Sequence, residues 1–351
     1  MSAVLIGTIF GSIVFEAAPI DPLFREFLAD PYSNSTSFRP FSVLNEDGVP
    51  RGILIADSET NQYVEVPFED RSYEDNHDFY QLKSAANIGL CRLSVDWFQI
   101  EGYLNGGVNT VFQNYGSTDT LGFDGFYGAG VTVRLFDKLA MQFGFHHFSG
   151  HWGDETLKSL IEENDDIDWD ETRLVEYTRG NSWLASVSFE PNEMIRIYGS
   201  AELPKSSAWI RPGVHVPSYT VKPGSTATNQ QEYITGQEGV DSTVEYDESY
   251  RAWRLQAGSE LRLPVRSFGS VFFAGDIQFH QDGQTEHQVD EYSPDNPWEI
   301  TYSVGGGFEF NQGLLDRKFR LEGYYVNGRF PLLNYFYKRS QYVVFGLAIG
   351  G

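Results

Sequence analysis

The residues with chemistry in them cluster at 147–155: His147, Ser149, His151, Gly153, Asp154 and Glu155. On an extended strand a serine two residues from a histidine shares its face, because successive side chains alternate sides. The imidazole can then take the hydroxyl proton while the serine oxygen attacks an ester. Such a pair needs a third group to orient the ring, and Asn181, just before Trp183 at the top of the facing strand, is the nearest candidate. Asp154 and Glu155 offer oxygen ligands that suit Ca2+, which would polarise the carbonyl under attack. Two other readings fit the same residues. His147, Ser149 and His151 serve equally as polar rim residues or lipid-headgroup contacts. A metal site of His147, His151 and Asp154 is the third, although histidines four apart on a strand stand about 13 Å from each other, poorly placed for one ion.

The element that must carry these residues is a strand. In 138–151, Leu139, Met141, Phe143 and Phe145 share one face, and Gln142, Gly144 and His146 share the other. By continuity His147, Ser149 and His151 extend the apolar side, just before a long acidic connection. The same period-two alternation recurs along the chain. Phe98, Ile100, Leu104, Val108 and Phe112 alternate with Gln99, Glu101, Tyr103, Asn105 and Asn109. Trp253, Leu255, Ala257, Leu261 and Leu263 alternate with Arg254, Gln256, Glu260 and Arg262.

Two features favour a membrane barrel over a soluble sandwich, which would also alternate. The polar face carries charges of both signs, strand after strand. Connections also alternate in length: short near 94–96, 136–138, 190–193, 264–270 and 311–318, long near 114–122, 152–180, 205–249, 281–297 and 328–339. Short periplasmic turns with long external loops mark outer-membrane barrels. The expected fold is an all-β, closed antiparallel transmembrane β-barrel of about twelve strands. They are read near 50–57, 83–93, 95–113, 123–136, 138–151, 182–190, 194–203, 251–263, 270–280, 298–310, 317–327 and 341–350, with 208–219 as an extra strand pair in a loop.

Composition agrees. Aromatic residues at 15% and 35 glycines suit twisted, tightly paired strands and aromatic girdles. The net charge of −24 repels phosphate backbones, so no nucleic-acid partner is expected. The single cysteine, Cys91, forms no internal disulfide and reads as packing. The apolar run Val4–Phe15 is too short for a membrane helix and fits a secretory signal. The expected organisation is a signal over 1–18, a periplasmic leader over 19–48 and the barrel over 49–351, in the outer membrane of a diderm bacterium. Nothing in the sequence sets an oligomeric state.

Ten carboxylates lie between Gly153 and Glu176, in what reads as a solvated acidic loop; no EF-hand spacing is present. Gly305-Gly306-Gly307 sits inside a strand pattern and marks a bend or close packing rather than a phosphate loop.

The segment Phe143–Leu157, reading His-x-Ser-x-His-x-Gly-Asp-Glu from His147, resembles the signature of the domain-of-unknown-function 1207 family. Pro22-Leu23-Phe24 with Ala29-Asp30-Pro31, Ala252-Trp253-Arg254-Leu255-Gln256-Ala257-Gly258 and Glu322-Gly323-Tyr324-Tyr325-Val326-Asn327-Gly328 resemble further segments of it. That resemblance implies a cell-envelope protein and no particular activity. His147-x-Ser149 on a lipid-facing rim is also similar to the pairs of outer-membrane phospholipase A and outer-membrane lipid A 3-O-deacylase. It implies acyl-ester hydrolysis on membrane lipids or lipopolysaccharide.

Two expectations for function follow. In the first, the barrel has no catalytic role and its narrow lumen is filled by charge pairs among Arg134, Arg196, Arg254, Arg262, Arg320, Glu101, Glu202, Glu260, Asp276, Glu309 and Glu322, giving little or no general-diffusion conductance. A narrow channel is a variant of it. In the second, the chain is a Ser–His lipid hydrolase. A soluble β-sandwich is a third architecture that partition into water without detergent would reveal.

Overall fold

The computed structural model describes residues 13–33, 35–56, 63–68, 76–113, 119–164, 166–167, 173–177, 180–204, 210–215, 253–281, 298–311 and 318–350. Twelve strands close on themselves. They are β2 (Thr36–Val43), β5 (Asp78–Val95), β6 (Phe98–Gln113), β7 (Thr120–Leu135), β8 (Leu139–Trp152), β10 (Gly180–Phe189), β11 (Ile195–Pro204), β13 (Arg254–Val265), β14 (Gly269–His280), β15 (Glu299–Phe310), β16 (Lys318–Arg329) and β17 (Arg339–Gly350). Each pairs antiparallel with its neighbours in that order, and β2 closes the ring between β17 and β5. Closure leaves no sheet edge to hydrocarbon, which cannot satisfy backbone groups.

The alternation read from the sequence sets the two faces. Ile197, Val304, Leu321, Phe273 and Phe345 are exposed on the outside, where lipid rather than water meets them. Arg196, Glu260, Ser303, Arg320 and Glu322 are buried inside. Aromatic rings mark both interfaces. Trp97, Phe136 and Phe268 are exposed at the short-turn, periplasmic end, and Tyr127 and Trp183 near the outer end. Trp97 stacks on Phe136 at 5.0 Å between ring centroids. Glycines make room for inward tyrosines. A Cβ on Gly258 would meet the Tyr198 ring, and one on Gly144 would meet the Tyr103 hydroxyl.

The N-terminal part differs from expectation. Residues 50–57, read as the first barrel strand, instead supply β3 (Gly52–Ala56) of a separate sheet. The ring strand is β2, inside the segment expected as a periplasmic leader. Pro40 at its centre has no N–H for a ladder and Arg39 breaks the apolar pattern, so the strand signal is weak there. Before it, β1 (Ile13–Ala17) lies along the lower edge of β5, Ala17 opposite Cys91. Between these two strands the chain leaves the wall and crosses the lumen, with Leu23, Phe24, Phe27, Leu28 and Tyr32 buried there. Residues 18–33 form a plug. Of the expected signal over 1–18, residues 1–12 lie outside the described residues.

The outer end is also covered. The β3 strand, β4 (Tyr63–Pro67), β9 (Arg173–Tyr177) and β12 (Ile210–His215) form a four-stranded sheet contributed by three long connections. Where a strand pair was expected within 208–219, the described residues hold one strand, β12, whose partner is β9; 216–219 lie outside the described residues. The acidic connection is helical at its start, as α1 (Asp154–Glu163); Asp165, Asp168, Asp170 and Glu171 lie outside the described residues. A turn at 330–338 dips into the mouth. Its Leu333 N–H donates to Asp124 at 3.0 Å, and Asn109 Nδ2 donates to the Pro331 carbonyl at 2.8 Å.

Candidate functional site

The outer face of β8 near its top carries the motif residues. His147, Ser149 and His151 are half-buried and point outward, and His146, Phe148 and Trp152 point inward and are buried. The strand thereby brings all three polar groups to one face, as their spacing requires. Register sets the neighbours: Phe123, Gly125 and Tyr127 of β7 lie opposite His151, Ser149 and His147, and Asn181 of β10 lies opposite His147.

Two pairs form. Ser149 Oγ lies 3.1 Å from His151 Nε2, and His147 Nδ1 lies 2.9 Å from Asn181 Oδ1. With Asn181 Oδ1 accepting from Nδ1–H, the His147 Nε2 lone pair is left free to accept. The His147 ring stacks on Tyr127 at 4.6 Å, and His151 packs beside Phe123 at 4.8 Å. The serine is therefore engaged by the histidine above it, while Asn181 orients the histidine below. Gly125 opens the space beside Ser149; a Cβ there would come within 3.4 Å of Oγ.

The carboxylates expected as Ca2+ ligands lie at the start of α1. Gly153 precedes α1, and Asp154 and Glu155 form its first turn, where negative charge favours the helix dipole. The Thr120 N–H donates to Glu155 Oε2 at 3.4 Å. Among the described residues no three His, Cys, Asp or Glu side chains gather as a metal site, so the grouping of His147, His151 and Asp154 does not form.

The lumen network forms as a lattice that grips the plug. Arg196 is its centre: Nη1 and Nη2 donate to the carbonyls of Glu26 and Arg25, each at 2.7 Å, and Nε donates to Ser188 Oγ at 2.7 Å. Its guanidinium also pairs with Glu260 at 3.1 Å and lies over Phe24 and Phe27 of the plug. Arg262 pairs with Glu260 at 2.8 Å and Arg254 with Glu202 at 3.5 Å; Glu309 is 3.9 Å from Arg262 and pairs with Lys318 at 2.7 Å. Arg320 pairs with Glu26 of the plug at 2.6 Å and with Glu322 at 3.5 Å. Arg134 donates to the Leu23 carbonyl at 3.4 Å, and the Leu23 N–H donates to Glu101 at 3.1 Å. Asp276 joins through neutral donors, Tyr198 Oη at 2.7 Å and Gln256 Nε2 at 2.9 Å.

Sequence reasoning missed the plug's own charges and Arg39. Arg25 pairs with Glu190 at 2.6 Å and Arg39 with Glu322 at 2.6 Å. Burial, with Arg262 close by, pulls the Arg25 guanidinium down to about 10, still charged at neutral pH. A stretch as apolar and proline-flanked as Pro22–Pro31 was the available signal that 19–33 is packed rather than free.

A closed strand ring with an apolar exterior and an ion-paired interior defines an outer-membrane β-barrel protein, embedded in the outer membrane of a Gram-negative bacterium. No family model matches the chain, and no curated protein matches it. The likeness to the domain-of-unknown-function 1207 family therefore stands on the quoted segments alone. Among solved structures, LpxR from Salmonella typhimurium is 11% identical, with 89% of this chain and 99% of that one covered and a TM-score of 0.31. A FadL homologue of Pseudomonas aeruginosa is 11% identical, covering 90% and 88%, at a TM-score of 0.34. The CymD monoaromatic hydrocarbon channel is 8% identical, covering 90% and 88%, at 0.30. Values this low transfer no role to this chain.

Proposed function

We propose that the barrel is a lipid acyl hydrolase working on its outward rim, with its lumen kept shut. The observation that carries this reading is the 3.1 Å approach of Ser149 Oγ to His151 Nε2 on the lipid-side face. In this scheme His151 takes the hydroxyl proton as Ser149 attacks the ester carbonyl of a membrane lipid or lipopolysaccharide acyl chain. His151 then returns the proton to the departing alcohol. Water cleaves the acyl-serine, with the free Nε2 of His147 positioned by Asn181 to activate it. The roles of the two histidines are thus exchanged relative to the sequence reading, in which His147 served Ser149. A Ca2+ ion at Asp154 and Glu155 is not needed for these steps.

The test is release of fatty acid from phospholipid and lipopolysaccharide vesicles by the purified full chain. Ser149→Ala and His151→Ala should each lower the rate at least tenfold, and His147→Ala should slow the later, acyl-serine step. Equal release by Ser149→Ala would remove the hydrolase reading. The second reading, a closed barrel without catalytic work, is favoured by the plug itself, since a filled lumen serves no diffusion; absence of any release from every lipid would support it.

A further inference from the structure

Between the plug and the inner wall, from β5 and β6 through β8, β10, β11 and β13 to β14, lies a cavity of about 130 Å3. Its surface is built of amide side chains and aromatic rings rather than of free charges. The Asn87 amide donates through Nδ2 to the Phe24 carbonyl at 3.4 Å. Gln278 donates through Nε2 to Asp30 at 2.7 Å and to Asp276 at 3.2 Å. These donors fix both amides, so each turns its carbonyl oxygen away from the partner it holds. Asn87 Oδ1, Asn105 Oδ1 and Gln278 Oε1 are buried with no hydrogen-bond partner among the described residues. The same is true of both ring nitrogens of His146, a residue only 7% exposed. All four side chains line the cavity.

A buried acceptor without a partner keeps the full cost of its lost hydration. Three such oxygens around one space, beside an imidazole whose Nδ1 lies 3.8 Å from Glu202, describe a binding site. The formal charges on its wall are already engaged: Glu202 with Arg254 at 3.5 Å, Glu26 with Arg320 at 2.6 Å, and Asp30 with Gln278. An anion would face the bare amide oxygens, and a cation would find its carboxylates taken. An apolar guest would leave the acceptors unmet. Hydroxyl groups, which donate and accept, suit both the oxygens and the imidazole. The rings of Phe148, Tyr32 and Phe24 line the same space and give it an apolar side for the guest's carbons. For size, a cavity of about 150 Å3 takes one benzene, so this one suits a guest of about six non-hydrogen atoms.

We propose that the lumen holds a binding site for a small neutral polyol, of the size of glycerol or a four-carbon polyol, between the plug and the inner wall that carries Asn87, Asn105, His146 and Gln278. The periplasmic end is the entry side, where the Arg25 side chain stays 27% exposed. This site is independent of the outward Ser149 face.

Ligand-observed saturation-transfer NMR on the full chain in nanodiscs, in glycerol-free buffer, tests it. The probes are glycerol and erythritol against 1-propanol, propylammonium and acetate. Saturable binding of the polyols alone is expected, weakened at least tenfold by Asn105→Leu and by Gln278→Leu and unchanged by Ser149→Ala. Folding of each variant is checked by heat-modifiable mobility in gels. If a variant does not fold, the comparison of the five probes on the unmodified chain decides. No saturable polyol binding, tighter binding of propylammonium or acetate, or full binding by a folded Asn105→Leu would each overturn the proposal.

Discussion

Arg196→Met should destabilise the folded barrel by about 3–5 kcal/mol, the cost of removing one partner from a buried ion pair. The side chain is 1% exposed and serves Glu260, Ser188 and two plug carbonyls at once. Its loss removes one of the two arginines that hold the buried Glu260, leaving Arg262 at 2.8 Å, and strands two backbone acceptors. Arg196→Lys should recover only part of this, because an ammonium cannot reproduce the planar fork that meets both carbonyls. Adding Glu260→Leu to Arg196→Met should deepen the loss, because Arg262 then loses its partner at 2.8 Å and the Leu28 N–H its acceptor at 3.1 Å. Urea unfolding in lipid vesicles gives the free energies. Limited proteolysis reads plug release directly, with cleavage within 19–33 expected in Arg196→Met and not in the native chain. A loss below about 1 kcal/mol, the range of surface pairs, would mean that the lattice does not hold the plug.

The second large effect is on conductance. The native chain should give no nanosiemens steps in planar bilayers, because the plug runs through the lumen, from Leu23 and Arg25 at the short-turn end to Tyr32 beside Phe330, and the 330–338 turn covers the outer mouth. The plug can be excised without breaking the wall. Ala17 pairs with Cys91, and Thr36 Oγ1 donates to the Ala85 carbonyl at 2.9 Å. The gap along β5 is therefore about 20 Å at strand rise, which a short Gly-Ser linker replacing 20–33 spans. That deletion, combined with Asp124→Ala to loosen the outer turn, should convert a silent barrel into one with discrete ion-conducting steps. Open steps from the native chain, or silence from the combined variant in folded form, would contradict the plugged lumen.

The parts of the fold legible in the sequence are those fixed by solvent on one side. Alternation in 98–113 or 254–263 follows from hydrocarbon outside and charge inside, a two-residue rule that local sequence carries. Eleven of the twelve ring strands were readable in this way; β2, with Arg39 and Pro40, was not. The plug was illegible because its bonds are distant, Arg196 reaching the Glu26 carbonyl across 170 positions. At the rim, sequence placed His147, Ser149, His151 and Asn181 on one outward patch. It paired His147 with the serine, although His151 stands equally two residues away. In the structure Tyr127 and Asn181 hold His147, and His151 is the histidine beside Ser149, a preference that only side-chain packing sets.

Every conclusion rests on which side of the wall meets lipid. Methyl NMR of the full chain in nanodiscs doped with acyl-chain nitroxide lipids measures this without substitutions. Resonances of Ile197, Val304 and Leu321 should broaden strongly, while those of Val326, Val344 and Ala274 stay comparatively sharp. Equal broadening of both sets, or broadening of the inward set alone, would contradict a closed barrel with a shut, ion-paired interior.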